Sequence, residues 1–284
     1  MFGFLNIYKP SGITSHDVIS ILRKITKIKQ IGHTGTLDPF AEGVLPVCIG
    51  KATRLIEYLD DEKAYIGTIQ LGKSTTTYDT EGDIVKTSSK KVNLQDIETV
   101  LKNFTGEIEQ LPPIYSAIKI KGKKLYEYAR AGESVDIQPR KINIKHLDII
   151  RWNPETMQLE LYIECSKGTY IRSLANDIGE SLEVYGHLIK LVRAKAGCFE
   201  LKNAIKLENI KTTDDVFANL INPLECLNYP VYYVNNDEYQ LIANGNPIKT
   251  NCDSKAIILT NSENRIIAVG EIKNNLIKPI KVFI

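Results

Sequence analysis

The stretch Gly32-His33-Thr34-Gly35-Thr36-Leu37-Asp38-Pro39 concentrates two glycines, two threonines, a histidine and an aspartate in eight residues. The glycines permit unusual backbone angles or the close approach of a ligand. Pro39 restricts Asp38 to extended conformations and so helps to fix its direction. On these residues alone the stretch reads more readily as a turn, with Asp38 accepting local hydrogen bonds, than as an active site. What surrounds it has to decide.

Upstream, Phe2 to Tyr8 predicts a strand, and Pro10, Ser11 and Gly12 a turn. Thr14-Ser15-His16-Asp17 has the capping-box pattern, in which hydroxyl and acid satisfy the open N–H groups of a helix start. Val18, Ile21, Leu22 and Ile25 then share one helical face. Downstream, Val44 to Ile49 predicts a buried strand, Ala52 to Leu59 a helix and Tyr65 to Leu71 an alternating strand. Asn93 caps a second amphipathic helix carrying Leu94, Ile97, Leu101 and Phe104. Leu125 to Ala131, closed by Gly132, predicts a short helix. Ile142 to Ile150 and Met157 to Cys165 predict strands on either side of Asn153-Pro154. Ile171 to Leu182 predicts a helix, Gly186 to Val192 a short apolar segment, and Arg193 to Phe199 the approach to another strand. After Asn222 to Pro230 the texture changes to one helix (Asp237 to Ala243) and three β-rich runs: Ala256 to Leu259, Ile266 to Ile272 and Ile277 to Phe283. The fold class is α+β with a small β-rich C-terminal module.

Gly67-Thr68-Ile69-Gln70-Leu71-Gly72-Lys73-Ser74 fits the P-loop pattern letter for letter. A phosphate loop needs a flexible turn followed at once by a helix. Here the middle residues alternate as a strand does, and Thr75 to Asp83 is rich in turn formers. The match is rejected, and with it an NTPase.

The 284 residues carry a formal net charge of +2, which says little about partners. The distribution says more. Positions 112–146 hold eight Lys or Arg against three acids, a local charge of +5, and Arg23, Lys24, Lys27 and Lys29 form a second basic patch. Such patches can neutralise phosphates, although each alone is also what a solvated face looks like. The five cysteines have no C-x-x-C spacing and, with only four histidines, suggest buried thiols in a reducing compartment rather than zinc. The N-terminus lacks a signal-peptide pattern and no apolar run reaches membrane-spanning length, so a cytoplasmic protein without a membrane partner is expected.

Several motifs, in order along nearly the whole chain, now carry a resemblance. Lys9-Pro10-Ser11-Gly12-Ile13-Thr14-Ser15, the Gly32–Pro39 stretch continuing to Pro46, Lys63-Ala64-Tyr65, Pro112 to Ala117, Gly122 to Ala129, and Cys165 to Leu174 with Tyr170 and Arg172 resemble the motifs of the TruB family of pseudouridine synthases. The resemblance implies a pseudouridine synthase fold: a mixed, mainly antiparallel sheet flanked by helices over residues 1–224, with 112–146 as a basic RNA-gripping insertion. It also implies, more weakly, a β-barrel-like PUA-type RNA-binding module over 225–284. The activity implied is isomerisation of uridine 55 in the T loop of tRNA to pseudouridine, on an extruded base.

No cofactor or metal is implied, nor a guide RNA, and the enzyme would act as a monomer. Asp38 would be the nucleophile, on ribose or base. Arg172 would pair with it, Tyr65 would stack on the uracil and help move the proton at carbon 5, and Tyr170 and Leu191 would line the base pocket. His33 would contact the RNA. Arg54 is a further phosphate candidate. A catalytically silent RNA-binding protein on the same scaffold is the main alternative, against which stand Asp38, Tyr65 and Arg172, all present. A glycosidase would need a second carboxylate opposite Asp38, and nothing places Glu42 there.

Overall fold

The computed structural model describes residues 1–116 and 118–284; Ala117, the last residue of the Pro112 motif, lies outside them. In chain order the elements are β1 (Gly3–Lys9), α1 (Ser15–Thr26), β2 (Ile31–His33), β3 (Glu42–Ile49), β4 (Lys63–Leu71), β5 (Lys73–Thr75), β6 (Ile84–Thr87), α2 (Leu94–Leu101) and β7 (Gly106–Gln110). Then come β8 (Lys119–Ile120), β9 (Lys123–Lys124), α3 (Leu125–Arg130), β10 (Arg140–Asn153), β11 (Gln158–Cys165), α4 (Ile171–Ser181), β12 (Gly186–Ala196), β13 (Phe199–Glu200), β14 (Ile205–Lys206) and α5 (Thr213–Ala218). The chain closes with β15 (Val231–Tyr233), α6 (Asn236–Ala243), β16 (Ile248–Lys249), β17 (Ala256–Thr260), β18 (Ile266–Lys273) and β19 (Leu276–Val282).

The large sheet runs β14-β1-β3-β12-β4-β11-β10-β7, with β2 beside β3 and β13 beside β12. Only β1–β14 and β3–β12 are parallel, so the sheet is mixed and mainly antiparallel, as expected. The capping boxes do what the sequence predicts. Thr14 caps α1 with Asp17 answering, and Asn93 caps α2 with Asp96. The helix α1 ends at Thr26 because Lys27 turns left-handed (φ 60) and its N–H returns to Arg23. Val18, Ile19 and Leu22 of α1 pack on Leu5, Ile7, Leu45 and Val47 of β1 and β3. Leu174, Ala175 and Ile178 of α4 pack on Ile69, Leu161, Ile163, Leu188 and Leu191. Burial of a side chain such as Leu174 contributes about 1.5–3 kcal/mol.

Three expectations need correction. Gly186 to Phe199 is not an apolar segment leading into a strand: β12 runs unbroken to Ala196, at the middle of the sheet. Lys190, Arg193 and Lys195 mimic a surface boundary, but Arg193 is buried. The helix expected from Ala52 to Leu59 runs over Gly50–Tyr58 instead, and is wound as a 3₁₀-helix. The thiols are not uniformly buried, since Cys198 is exposed and Cys226 and Cys252 are half-buried. The rejected P-loop stretch lies in β4, hydrogen-bonded to β11 and β12, and Gly72 (φ 96) turns it into β5.

The C-terminal sheet, ordered β15-β17-β18-β19-β16, has its own core of Ile242, Ile257, Leu259, Ile267 and Ile277. It also shares a cluster with the large sheet, where Ile258, Val269 and Phe283 meet Phe4, Val44 and Leu55. Lys51 Nζ donates to the carbonyls of Phe283 (3.1 Å) and Ile284 (2.6 Å). Arg54 Nη1 donates to the carbonyl of Val282 at 2.7 Å, with the guanidinium 5.1 Å from the centre of the Phe283 ring. Arg54 thus helps to hold the two sheets together, with its side chain still exposed.

In the basic insertion, β8 and β9 form a hairpin leading into α3. Lys124 and Arg130 lie 5.3 and 5.5 Å from the Tyr126 ring centre, and Lys123 pairs with Glu133. Lys119, Lys121, Arg130 and Arg140 are exposed and, among the described residues, join no ion pair. Among the described residues, no helix is long and apolar enough to cross a membrane.

Candidate active site

The segment from Thr34 to Ala41 has no regular structure, so its shape must come from outside. The Lys9 motif supplies it. Lys9 is fully buried, and its Nζ donates to the carbonyls of Pro10 (2.8 Å), Pro39 (3.2 Å) and Ala41 (2.7 Å). Burial draws its ammonium down to about 8, against the pull of Asp38. Ser15 Oγ donates to the Leu37 carbonyl and accepts from the Leu37 N–H, at 3.1 and 2.8 Å. Gly12 N–H reaches the Pro39 carbonyl at 2.8 Å, and Ser11 Oγ the Phe40 carbonyl at 2.8 Å. From β12, Arg193 donates to the carbonyls of Gly35 (3.0 Å), Thr36 (3.5 Å) and Val44 (2.6 Å). Gly43 (φ 102) makes room for this strand, since a Cβ there would lie 2.4 Å from the Arg193 carbonyl.

Held this way, the Asp38 carboxylate meets Arg172 from the first turn of α4. Arg172 Nε lies 2.9 Å from Oδ2, and Nη2 lies 3.4 Å from Oδ1. The rest of the guanidinium is occupied too. Nη2 donates to the Tyr115 carbonyl (2.9 Å), and Nη1 to the Thr77 carbonyl (3.1 Å) and to Asp79 Oδ2 (3.3 Å). Every nitrogen of the fork therefore has an acceptor or a carboxylate beside it, and the side chain is 6% exposed. Asp79, itself 3% exposed, also accepts from Thr77 Oγ1 and from the Glu81 N–H at 3.0 Å.

The Asp38 side chain keeps 37% of its surface open to the cleft and is otherwise walled by protein. Burial pushes its carboxyl above the usual range; Arg172 pulls it back and Asp79 raises it further. An Arg fork around a carboxylate fixes both its charge and its aim.

The opening beside Asp38 is a cavity of about 300 Å³, lined among others by Asp38, Tyr65, Tyr170, Arg172, Leu191 and Arg193. The sequence-predicted residues thus converge from the loop, β4, α4 with its cap, and β12, with one exception. His33, on β2, is not in the lining; its Nδ1 is buried without a partner, and burial holds the ring below its usual pKa, with Arg193 adding. Tyr65 is buried in β4, which pushes its phenol up against the pull of Arg193. Tyr170 caps α4, and the buried Gln110 side chain clamps its backbone, donating to its carbonyl (3.0 Å) and accepting from its N–H (2.8 Å). Ser116 Oγ is buried in the lining without a partner. Among the described residues, no three His, Cys, Asp or Glu side chains gather where a metal ion would bind.

Sequence reasoning missed Asp79, Gln110, Lys9 and Arg193 as parts of this site. Asp79 left one trace, a lone acid in the threonine-rich turn after the rejected P-loop match. The others show their roles only once distant strands are side by side.

The model of the TruB family pseudouridylate synthase N-terminal domain matches residues 23–171, and that of the tRNA pseudouridylate synthase B C-terminal domain matches 172–227. The chain is 43% identical to the tRNA pseudouridine synthase B of Staphylococcus aureus strain JH9 over an alignment of 301 positions covering 99% of both proteins.

The chain belongs to the TruB family of pseudouridylate synthases.

The TruB-family protein named tRNA pseudouridine synthase B in Caldanaerobacter subterraneus subsp. tengcongensis is 41% identical, again over 99% of each chain. Among solved structures, a chain of a Cbf5–Nop10–Gar1 complex superposes with a TM-score of 0.75 at 24% identity, covering all of this chain and 85% of that one. A chain of an H/ACA RNP bound to a substrate RNA gives 0.74 at 22%, with the same coverage. The TruB-family chain therefore has the pseudouridine synthase fold, with a curled C-terminal sheet of the PUA-like kind.

Proposed function

We propose that this enzyme isomerises uridine 55 in the T loop of tRNA to pseudouridine, with Asp38 as nucleophile. The observation that carries the reading is the Arg172 fork on Asp38, aimed from the floor of a cavity of nucleobase size with Tyr65 in its wall. The kinship with enzymes named tRNA pseudouridine synthase B supports tRNA as the substrate. In the reaction the bond from ribose carbon 1′ to N1 breaks, the uracil turns, and a bond from carbon 1′ to carbon 5 forms. The proton at carbon 5 is lost and N1 gains one, so atoms and electrons balance with no redox partner.

The ionised Asp38 adds to the nucleoside and leaves again, which divides one hard substitution into two easier steps. Arg172 keeps the carboxylate charged and aimed. Tyr65 stacks on the base and moves the carbon 5 proton; Tyr170 and Leu191 bound the pocket. His33 lies beyond that pocket and touches the RNA around the extruded nucleotide. The exposed cations of 112–146 grip the backbone, residues 1–224 act as the catalytic domain and 225–284 as an RNA-binding module. The protein works as a cytoplasmic monomer without guide RNA or cofactor.

The test uses tRNA tritiated at uridine carbon 5. Wild type is expected to release tritium into water and Asp38→Asn to release none, with the modified position mapping to 55. Equal release by both proteins, or none by wild type, removes the assignment.

A further inference from the structure

Arg193 is 1% exposed, in the middle of the large sheet, and no ion pair among the described residues includes it. A buried guanidinium answered only by carbonyls is costly unless its charge serves something nearby. Its three carbonyl partners occupy Nε and part of each terminal nitrogen, and the remaining positive edge faces the cavity that it lines with Tyr65. Tyr65 is its cross-strand partner, Cα opposite Cα in the β4–β12 ladder.

The other charged or titratable groups around the phenol are Asp38 from the loop, Cys165 from β11, Lys63 on the same strand and Arg172 from α4. Asp38 is held by Arg172, whereas Cys165 is a buried thiol whose pKa burial pushes up to about 11. Lys63 also lines the cavity, but its Nζ is bound to the Asp61 carbonyl and its charge is disfavoured by burial and by Arg193 itself. Arg193 is therefore the cation placed to act on Tyr65, and both its charge and its N–H groups draw that phenol down against burial.

We propose that Arg193 is a positioning residue for Tyr65: its buried guanidinium orients the phenol oxygen and stabilises the phenolate that removes the proton from carbon 5 of the rejoined base. This rests on the pseudouridine synthase reading above. In the step, the C5–H bond breaks, its electron pair restores the ring double bond, and the phenolate oxygen takes the proton. N1 takes a proton from water, and the phenol returns its own to water. A buried positive charge fixed before the reaction stabilises a developing anion more than mobile solvent would.

The experiment is single-turnover tritium release, with tRNA affinity measured in parallel, from neutral pH to about 9.5, just below the ordinary tyrosine range. Losing the cation is expected to raise the phenol pKa and so to lower the fraction present as phenolate. Arg193→Gln is expected to be at least about tenfold slower, with affinity within about threefold of wild type, and the two rates to rise with pH in parallel, since burial keeps the phenol above the range tested in both proteins. Arg193→Lys, which keeps the charge, is expected to lose less. In a Tyr65→Phe background, Arg193→Lys is expected to add no further loss. A deficit as large in the Tyr65→Phe background, or one lying wholly in tRNA affinity, would reduce Arg193 to a loop clamp and overturn the proposal. If Arg193→Gln does not fold, the Arg193→Lys and Tyr65→Phe cycle decides alone. Wild type that releases no tritium would instead remove the pseudouridine synthase reading.

Discussion

Replacing Arg172 with lysine keeps the charge and discards the fork. The guanidinium satisfies five acceptor contacts: two to Asp38, one to Asp79, and one each to the carbonyls of Thr77 and Tyr115. A lysine ammonium has three donors, so at least two of these acceptors lose their partner. A hydrogen bond to a charged group contributes about 1.5–3 kcal/mol. Loss of only the second arm on Asp38, at about 1.4 kcal/mol per factor of ten, slows the chemical step by about tenfold to a hundredfold. Arg172 sits below Asp38 at 6% exposure, so the tRNA backbone does not reach it and affinity is expected to stay within about threefold. Single-turnover tritium release with enzyme in excess, beside filter binding of the same tRNA, separates the two terms. An unchanged rate, or a loss lying wholly in affinity, would refute the fork as the device that aims Asp38. Arg172→Met is expected to be worse in another way: it leaves two carboxylates facing each other, and breaking such a pair costs about 3–5 kcal/mol, visible as a large fall in Tm.

Two pH effects follow from the same geometry. On the proposed reading Asp38 attacks in its ionised form, and burial, opposed by Arg172 but helped by Asp79, raises its pKa; activity is therefore expected to fall with acid at a pH above the ordinary carboxylate value of 3.8. Asp79→Asn removes the neighbouring negative charge, so the acid limb should move to lower pH; a limb that stays put or rises would contradict the electrostatic account. Lys9 gives the opposite kind of signature. Its ammonium titrates near 8 when folded and at ~10.4 when unfolded, so between these values the unfolded chain binds more protons and stability rises with pH. The slope from this one group approaches about 1.4 kcal/mol per pH unit. Urea unfolding of wild type and Lys9→Met across that window should show a slope difference of that sign, and parallel curves would deny the shift.

How much of this could be read in advance depended on distance along the chain. Capping boxes at Thr14 and Asn93 are local chemistry, and both define the helix starts observed. The alternation of Tyr65 to Leu71 sufficed to reject a phosphate loop. The β12 strand was misread because period and polarity disagree in it: Lys190 and Lys195 look like surface, and only the neighbouring strands make Arg193 a core residue. Gln110 looked like an ordinary strand end, yet it serves as a peptide-like partner for the backbone of Tyr170, 60 residues away. Nor could the sequence show that the last strand of the chain takes a hydrogen bond from Arg54. Sequence types name what a side chain can bond; which group arrives to bond it is a matter of sheet order.

That order also sets a timetable. Asp38 is 134 residues from Arg172, and Gly35 is 158 from the Arg193 that grips it. On a ribosome adding about 5–20 residues per second, the nascent aspartate loop waits roughly ten to thirty seconds for its arginines. During that interval β3 lacks β12, its neighbour in the finished sheet, and offers an open apolar edge. The active site is thus one of the last things the emerging polypeptide completes. A truncated translation product ending before α4 has every residue of the opening motif and lacks the arginine fork that pairs with Asp38.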